Sequence, residues 1–374
     1  MREWLKILTL ASLLAGPPAL ARADDEAEGP ALSAEAAAAL AAMNGAIVDR
    51  HVLPAFTRLA AAAAALEAGA AAFCRAPDEA GLDRLRALYA DASDGWQGVQ
   101  HLRFGPLELF MRSSRLMFWP DPRDSVGRQL ADLLGKGDAA QFRPDALEKL
   151  SVSIQGLPAL ERLLYGDDAG LLLAGNGDAA LRCAAAAGIA ANIARQAAGV
   201  LADWQGGSVA YAAMLKAAGG GNEYYRTPQE AAVELFKSLH LAVEMVADRK
   251  LSRALGDRPG GAKPRLLEQW RSGRSLANIR IDLAAALDLW RSGMGDVVKA
   301  RDAVLAAKVD KALADLVAAA AAIEGPLDKA LTDAGQRPRL VALVADAGAA
   351  KALLANEVAP ALGIPVGFNA LDGD

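Results

Sequence analysis

Glu161 stands in the segment Gly156-Leu157-Pro158-Ala159-Leu160-Glu161, and its carboxylate could hold a metal, take a proton or fix a cation. Pro158 has a fixed φ and no N–H, which suits the first turn of a helix. That places Glu161 in the first turn, where the macrodipole favours an anion. It serves equally as a plain cap paired with Arg103 or Arg162. Gln155 adds an amide at the entry to the same helix. Trp96, Gln100 and Arg103 fall at i, i+4 and i+7, so on one helix they share a face. Arg271, Ser275 and Asn278 repeat that spacing, with Trp270 beside them as packing. Trp119-Pro120-Asp121-Pro122-Arg123 is a stiff turn carrying an aromatic ring and two charges. It reads first as a helix connection and second as a binding element. At the end, Asp372, Asp374 and the terminal carboxylate could hold a hard cation or an arginine cluster. Phe368 and Leu371 could anchor that tail, although fraying is the default for termini.

Other chemistry finds no signature. His51, His101 and His240 are the three histidines, and no two stand at a metal-ligand spacing on one helix. A zinc site needs three or four protein ligands, so zinc is not expected. His101 is the best placed to converge with a distant partner. Neither a Ser/His/Asp nor a Cys/His nucleophile pattern occurs. Gly219-Gly220-Gly221 lacks the ending of a phosphate loop. No catalytic residue is assigned.

The elements that must position these residues are helices. Roughly a quarter of the 374 residues are alanine, the best helix former, far above ordinary usage. Aromatics are 5% and no run of alternating apolar residues appears. The expected class is all-α, two packed antiparallel helical bundles. Helices are expected over 32–72 (kinked near Arg50 by Pro54), 82–104, 124–134, 144–153, 158–165 and 181–217. Others are expected over 228–255, 266–289, 296–323 and 338–358. Gly219 to Asn222 is the strongest punctuation and divides the chain into 24–218 and 223–374. Thr227-Pro228-Gln229-Glu230 then reads as N-cap, N1 proline and capping-box glutamate.

Lys plus Arg number 40 against 45 Asp plus Glu, with no basic block, which argues against nucleic-acid binding. Arg2 and Lys6, the apolar 7–15 run and Ala21-Arg22-Ala23 read as a signal peptide cleaved after Ala23. The apolar run is too short to span a bilayer, so a periplasmic protein without a transmembrane span is expected. Cys74 and Cys183 are then an even pair in an oxidising compartment. They read as a disulfide, with two buried thiols as the alternative.

Three segments resemble the imelysin-like family. They are Trp96-Gln97-Gly98-Val99-Gln100-His101-Leu102-Arg103-Phe104-Gly105-Pro106, Gly156 to Gly166, and Gly367 to Asp374 with the earlier Trp270 to Ser275. The resemblance implies an exported two-bundle helical protein from a family that includes metallopeptidases and iron-uptake proteins. Its usual signature is G-x-H-x-x-E. Here Gly156 and Glu161 match, and Pro158 stands where the histidine belongs. Proline has no ligand atom, and Glu161 alone cannot make a zinc site. The resemblance therefore implies a non-catalytic protein that binds a metal ion or a small ligand and is associated with uptake of iron or another metal. The alternatives are a metallopeptidase with a degenerate site and a module binding a cell-envelope protein. Iron is the cation suggested, on hard oxygen ligands such as Glu161 and Asp121.

Overall fold

A computed structural model describes residues 32–207 and 209–364. The expected signal segment and the C-terminal carboxylates with Phe368 and Leu371 lie outside the described residues. Among the described residues there are helices and no strands.

Ser33 caps helix α1 (Ala34–Ile47) by accepting from Ala36 N–H. The rod widens into a π-turn at Val48–Val52 and continues as α2 (Leu53–Arg75). Pro54 cannot donate to the carbonyl of Arg50, so the irregularity falls at the expected place. Asp78 caps α3 (Glu79–Gln97). Next come α4 (Ser125–Lys136), α5 (Leu157–Tyr165), α6 (Gly177–Gln205) and α7 (Pro228–Glu244). Thr227 accepts from Glu230 N–H, while the Glu230 carboxylate accepts from Arg226 N–H. The last long helices are α8 (Ser275–Leu289), α9 (Gly295–Arg301), α10 (Ala303–Ala321) and α11 (Gln336–Leu353).

Alanine and glycine let these helices approach closely. α2 packs on α3 and α6. A Cβ on Gly95 would lie 2.8 Å from the Leu59 Cα, so only glycine fits that crossing. α1 packs instead on α7 and the Trp290–Met294 turn, so one rod serves both groups of helices. α8, α10 and α11 pack in succession, and α8 also meets α3. Trp96, Trp204 and Trp290 fill the core. The rod 34–75 is long and apolar enough to cross a bilayer. Here its large apolar residues Leu40, Phe56, Leu59 and Leu66 are buried against neighbouring helices, while several of its alanines are exposed.

Several expected helices are shorter, each for a local reason. The second helix stops at Gln97 rather than Phe104, and Gly98 to His101 form a turn. Trp96, Gln100 and Arg103 therefore do not share a helix face. Buried hydrogen bonds made by Gln100 and His101 outweigh the continuation of the ladder. The 181–217 helix breaks at Gly206-Gly207, and a short helix, Tyr211–Lys216, follows. Pro144–Leu147 is one turn, not ten residues. Asp302 interrupts 296–323 and caps α10 by accepting from Val304 and Leu305 N–H. Residues 268–274 are a turn, with Gln269 at φ 52° and Gly273 at φ 71°. Arg271 therefore stands outside the helix that carries Ser275 and Asn278.

Cys74, near the end of α2, is disulfide-bonded to Cys183 on α6, with Cα atoms 5.4 Å apart.

Candidate functional site

A cleft of about 1020 Å³ opens over α5. Gly156 begins that helix and lies against the turn before α4: a Cβ there would sit 2.3 Å from the Leu116 carbonyl and 2.4 Å from the Arg115 carbonyl. Any side chain would push α5 away. With Gly156 as N-cap and Leu157 first in the helix, Glu161 falls beyond the first turn. The expected help from the macrodipole is replaced by a specific clamp. Glu161 Oε1 accepts from Ser272 N–H at 2.9 Å and from Ser272 Oγ–H at 2.7 Å. Burial pushes the Glu161 carboxyl above its usual value, and the Ser272 bonds and the Arg271 guanidinium draw it partly back. A buried carboxylate thus lines a solvent-open cleft, fixed by a turn 111 positions later in the sequence.

Trp119, Asp121, Trp270, Arg271 and Arg265 also line this cleft. The Arg271 guanidinium lies 4.3 Å and that of Arg265 5.7 Å from the Trp270 ring centre, both in cation–π range. Trp270 is thus part of the cleft wall, not packing alone. Asp121 is committed elsewhere: its two oxygens accept from Ser125 and Val126 N–H, both at 2.8 Å, and so cap α4.

Beneath Glu161 a buried polar network runs inward. Gln269 donates to the Tyr89 hydroxyl at 2.6 Å and the Ser93 hydroxyl at 2.7 Å, and accepts from Asn278 at 2.7 Å. These bonds offset the strain of a non-glycine residue at positive φ. Lys250 is fully buried and ends the network. Its ammonium lies 2.7 Å from Glu268 Oε2 and 2.5 Å from Asp282 Oδ2, and donates to Gln97 Oε1 at 2.6 Å. Gln100 donates to Asp282 Oδ1 at 2.7 Å, and Ser275 to the Glu268 carbonyl at 2.6 Å. Lys250 sits in the π-turn Met245–Leu251, so the widened backbone delivers the cation to the core.

Two carboxylates share one ammonium, which leaves an excess of buried negative charge. Burial raises Asp282 to about 7, against the pull of Lys250. A carboxyl raised on folding makes the native chain bind more protons than the unfolded chain between its two pKa values. The contribution of Asp282 to stability therefore falls as pH rises from about 4 to about 7. We expect Asp282→Asn to flatten this dependence by roughly 1–2 kcal/mol between pH 4.5 and 7.5. Urea unfolding at both pH values measures it. An unchanged slope would refute the assignment.

The histidines converge as no helical spacing foretells. His51 lies in the π-turn Val48–Val52, and its Nδ1–H donates to Asp288 Oδ2 at 2.7 Å. Its Nε2 lies 2.9 Å from His101 Nε2, so one of these two ring nitrogens donates to the other. Burial first, then the neighbouring His51, holds His101 well below the usual histidine value. His240 rests near Glu244 at 3.6 Å. Among the described residues no three His, Cys, Asp or Glu side chains are arranged to hold a metal ion.

The residues singled out from the sequence fall into three groups. Glu161, Trp119, Asp121 and Arg271 line the cleft. Gln100 and Ser275 belong to the network below it. Trp96, Gln155 and Arg103 stand apart. Trp96 is buried in the core. Gln155 joins loops by accepting from Arg115 at 2.8 Å and donating to the Leu150 carbonyl at 2.7 Å. Arg103 is exposed and pairs with Glu108 at 2.8 Å, not with Glu161. Ser272, Gln269, Lys250, Glu268 and Asp282 escaped notice. Asp282 had a signal: it extends the Ser275–Asn278 face by four residues.

Residues 52–354 match the family model for imelysin, peptidase family M75. Iron-regulated protein A of Synechococcus elongatus is 26% identical over 316 residues, 80% of this chain and 79% of that one. The crystal structure of an imelysin-like protein from Psychrobacter arcticum 273-4 superposes with a TM-score of 0.72 at 22% identity. That match covers 90% of this chain and 99% of that chain. A putative iron-regulated protein A precursor from Parabacteroides distasonis also gives 0.72, at 14% identity over 88% and 96% of the two chains. At these identities the two structures speak for the fold.

Proposed function

This chain belongs to the imelysin family, and we propose that it is an exported, non-catalytic binding protein of iron handling whose ligand site is the cleft over Glu161. The observation that carries this is Glu161 itself. It is a buried carboxylate lining an open cleft, oriented by Ser272, in the segment where Pro158 replaces the family's histidine. Relatives named iron-regulated protein A support iron as the metal. Export to the periplasm rests on the N-terminal segment, and the Cys74–Cys183 bridge accords with an oxidising compartment.

Glu161→Gln keeps an acceptor for Ser272 and removes the charge. It should leave the melting temperature within a few degrees and weaken iron binding at least about tenfold, or ~1.4 kcal/mol. Titration of periplasmic protein with ferric citrate, followed by tryptophan fluorescence, reads this. Unchanged affinity would remove Glu161 from the site. Cleavage of an unfolded protein that is abolished by the same substitution would overturn the non-catalytic role.

A further inference from the structure

Among the described residues seven carboxylates and six arginines line the cleft; Asp167 and Asp178 make no ion pair within 4 Å, and the other five carboxylates are engaged. Asp121 caps α4, and Asp124 pairs with Arg162. Asp168 pairs with Arg182 at 3.1 Å. Asp328 pairs with Lys329 at 3.8 Å. Glu161 is clamped by Ser272. Arg249, Arg253, Arg265 and Arg271 also line the cleft, and none makes an ion pair within 4 Å among the described residues. Two of these share the Trp270 ring. Burial weakens the hold of Arg271 on its proton, Glu161 opposes this, and the neighbouring Arg265 charge adds to it; burial and then Arg271 act likewise on Arg162. Like charges crowded around one indole and facing solvent are complementary to an anion. Guanidinium forks match carboxylates in particular.

A bare ferric ion finds no such match here. No three metal-ligating side chains converge among the described residues, and the wall around Trp270 carries the paired guanidiniums of Arg265 and Arg271. Building on the iron-binding reading above, we propose that the ligand is a carboxylate-bearing Fe(III) chelate of net negative charge. Arg265 and Arg271 grip the carboxylates that the metal leaves free, and Glu161 supplies the one protein carboxylate toward the metal. Trp270 keeps the two guanidiniums apart and oriented. The chelate binds whole, with no bond made or broken in the organic ligand.

The test is calorimetric titration of the full periplasmic protein with three probes: ferric citrate, citrate alone, and the uncharged ferric tris-acetohydroxamate complex. The double variant Arg265→Gln/Arg271→Gln is titrated beside wild type, with melting temperature as the folding control. The proposal expects ferric citrate to bind, to weaken as salt rises, and to lose at least about tenfold affinity in the double variant. Tris-acetohydroxamate should bind far more weakly. Iron bound equally well from both complexes and unaffected by the double variant would overturn the chelate proposal and leave the iron reading standing. Citrate binding as tightly alone as with iron would overturn both, leaving an anion site without iron. No binding of any probe by folded wild type would also overturn both.

Discussion

Replacing Lys250 by methionine should lower the unfolding free energy by about 3–5 kcal/mol at pH 7.5, one of the two largest effects expected here. The substitution keeps the volume of the side chain and removes the charge. It leaves the Glu268 and Asp282 carboxylates buried without a cation, and it takes one of two donors from Gln97 Oε1, the other being Gln100. Truncating one side of a buried ion cluster costs more than the cluster contributes, because the desolvation of the remaining ions is no longer offset. Two further measurements separate this account from simple loss of packing. The cost should shrink at pH 5, where protonation neutralises Asp282. The triple variant Lys250→Met/Glu268→Gln/Asp282→Asn should regain most of the loss. A cost below about 1 kcal/mol at pH 7.5, or one independent of pH, would show that Lys250 is not the counter-ion of this core.

The same cluster marks the boundary of what sequence alone reveals. Alanine content and the punctuation at Pro54, Gly156 and Thr227-Pro228 depend on local backbone physics, and those features appear where expected. Helix ends moved wherever a tertiary contact outbid propensity. Gln100 leaves the helical ladder to reach Asp282, a residue 182 positions away. Gln269 adopts a left-handed backbone that only its three buried partners can sustain. Lys250 could not be singled out because its partners come from Gln97, Glu268 and Asp282, and because a π-turn shifts it out of the 3.6-residue register. His51 and His101 met for the same reason, across fifty residues and through another π-turn. Within the candidate site, the cleft residues Glu161, Trp119 and Arg271 were legible because each combines chemistry with a stiff local turn. The network under them is long-range throughout.

Removal of the Cys74–Cys183 bridge is the other large effect expected. The bridge spans 109 positions, and restricting so long a loop in the unfolded chain is worth roughly 4–5 kcal/mol in the chain-entropy account. Because residual structure in the reduced chain returns part of this, the double variant Cys74→Ala/Cys183→Ala should lose about 2–5 kcal/mol. Thermal unfolding with and without a reductant measures it. Wild type should move toward the variant when reduced, and the variant should not respond. The bridge fastens the end of α2 to α6, two helices already packed along their length. The folded variant should therefore keep the Glu161–Ser272 clamp and bind ferric citrate at 25 °C with affinity within about threefold of wild type. Loss of binding in a folded variant would mean that the bridge also sets the cleft wall, through Arg182 beside Cys183. The stability term has a consequence for compartment. Protein made in a reducing cytoplasm forgoes the bridge and should melt like the variant, whereas periplasmic material should melt like oxidised wild type. Equal melting of the two preparations, each with its thiols fully alkylated, would show that the bridge does not form in the exported protein.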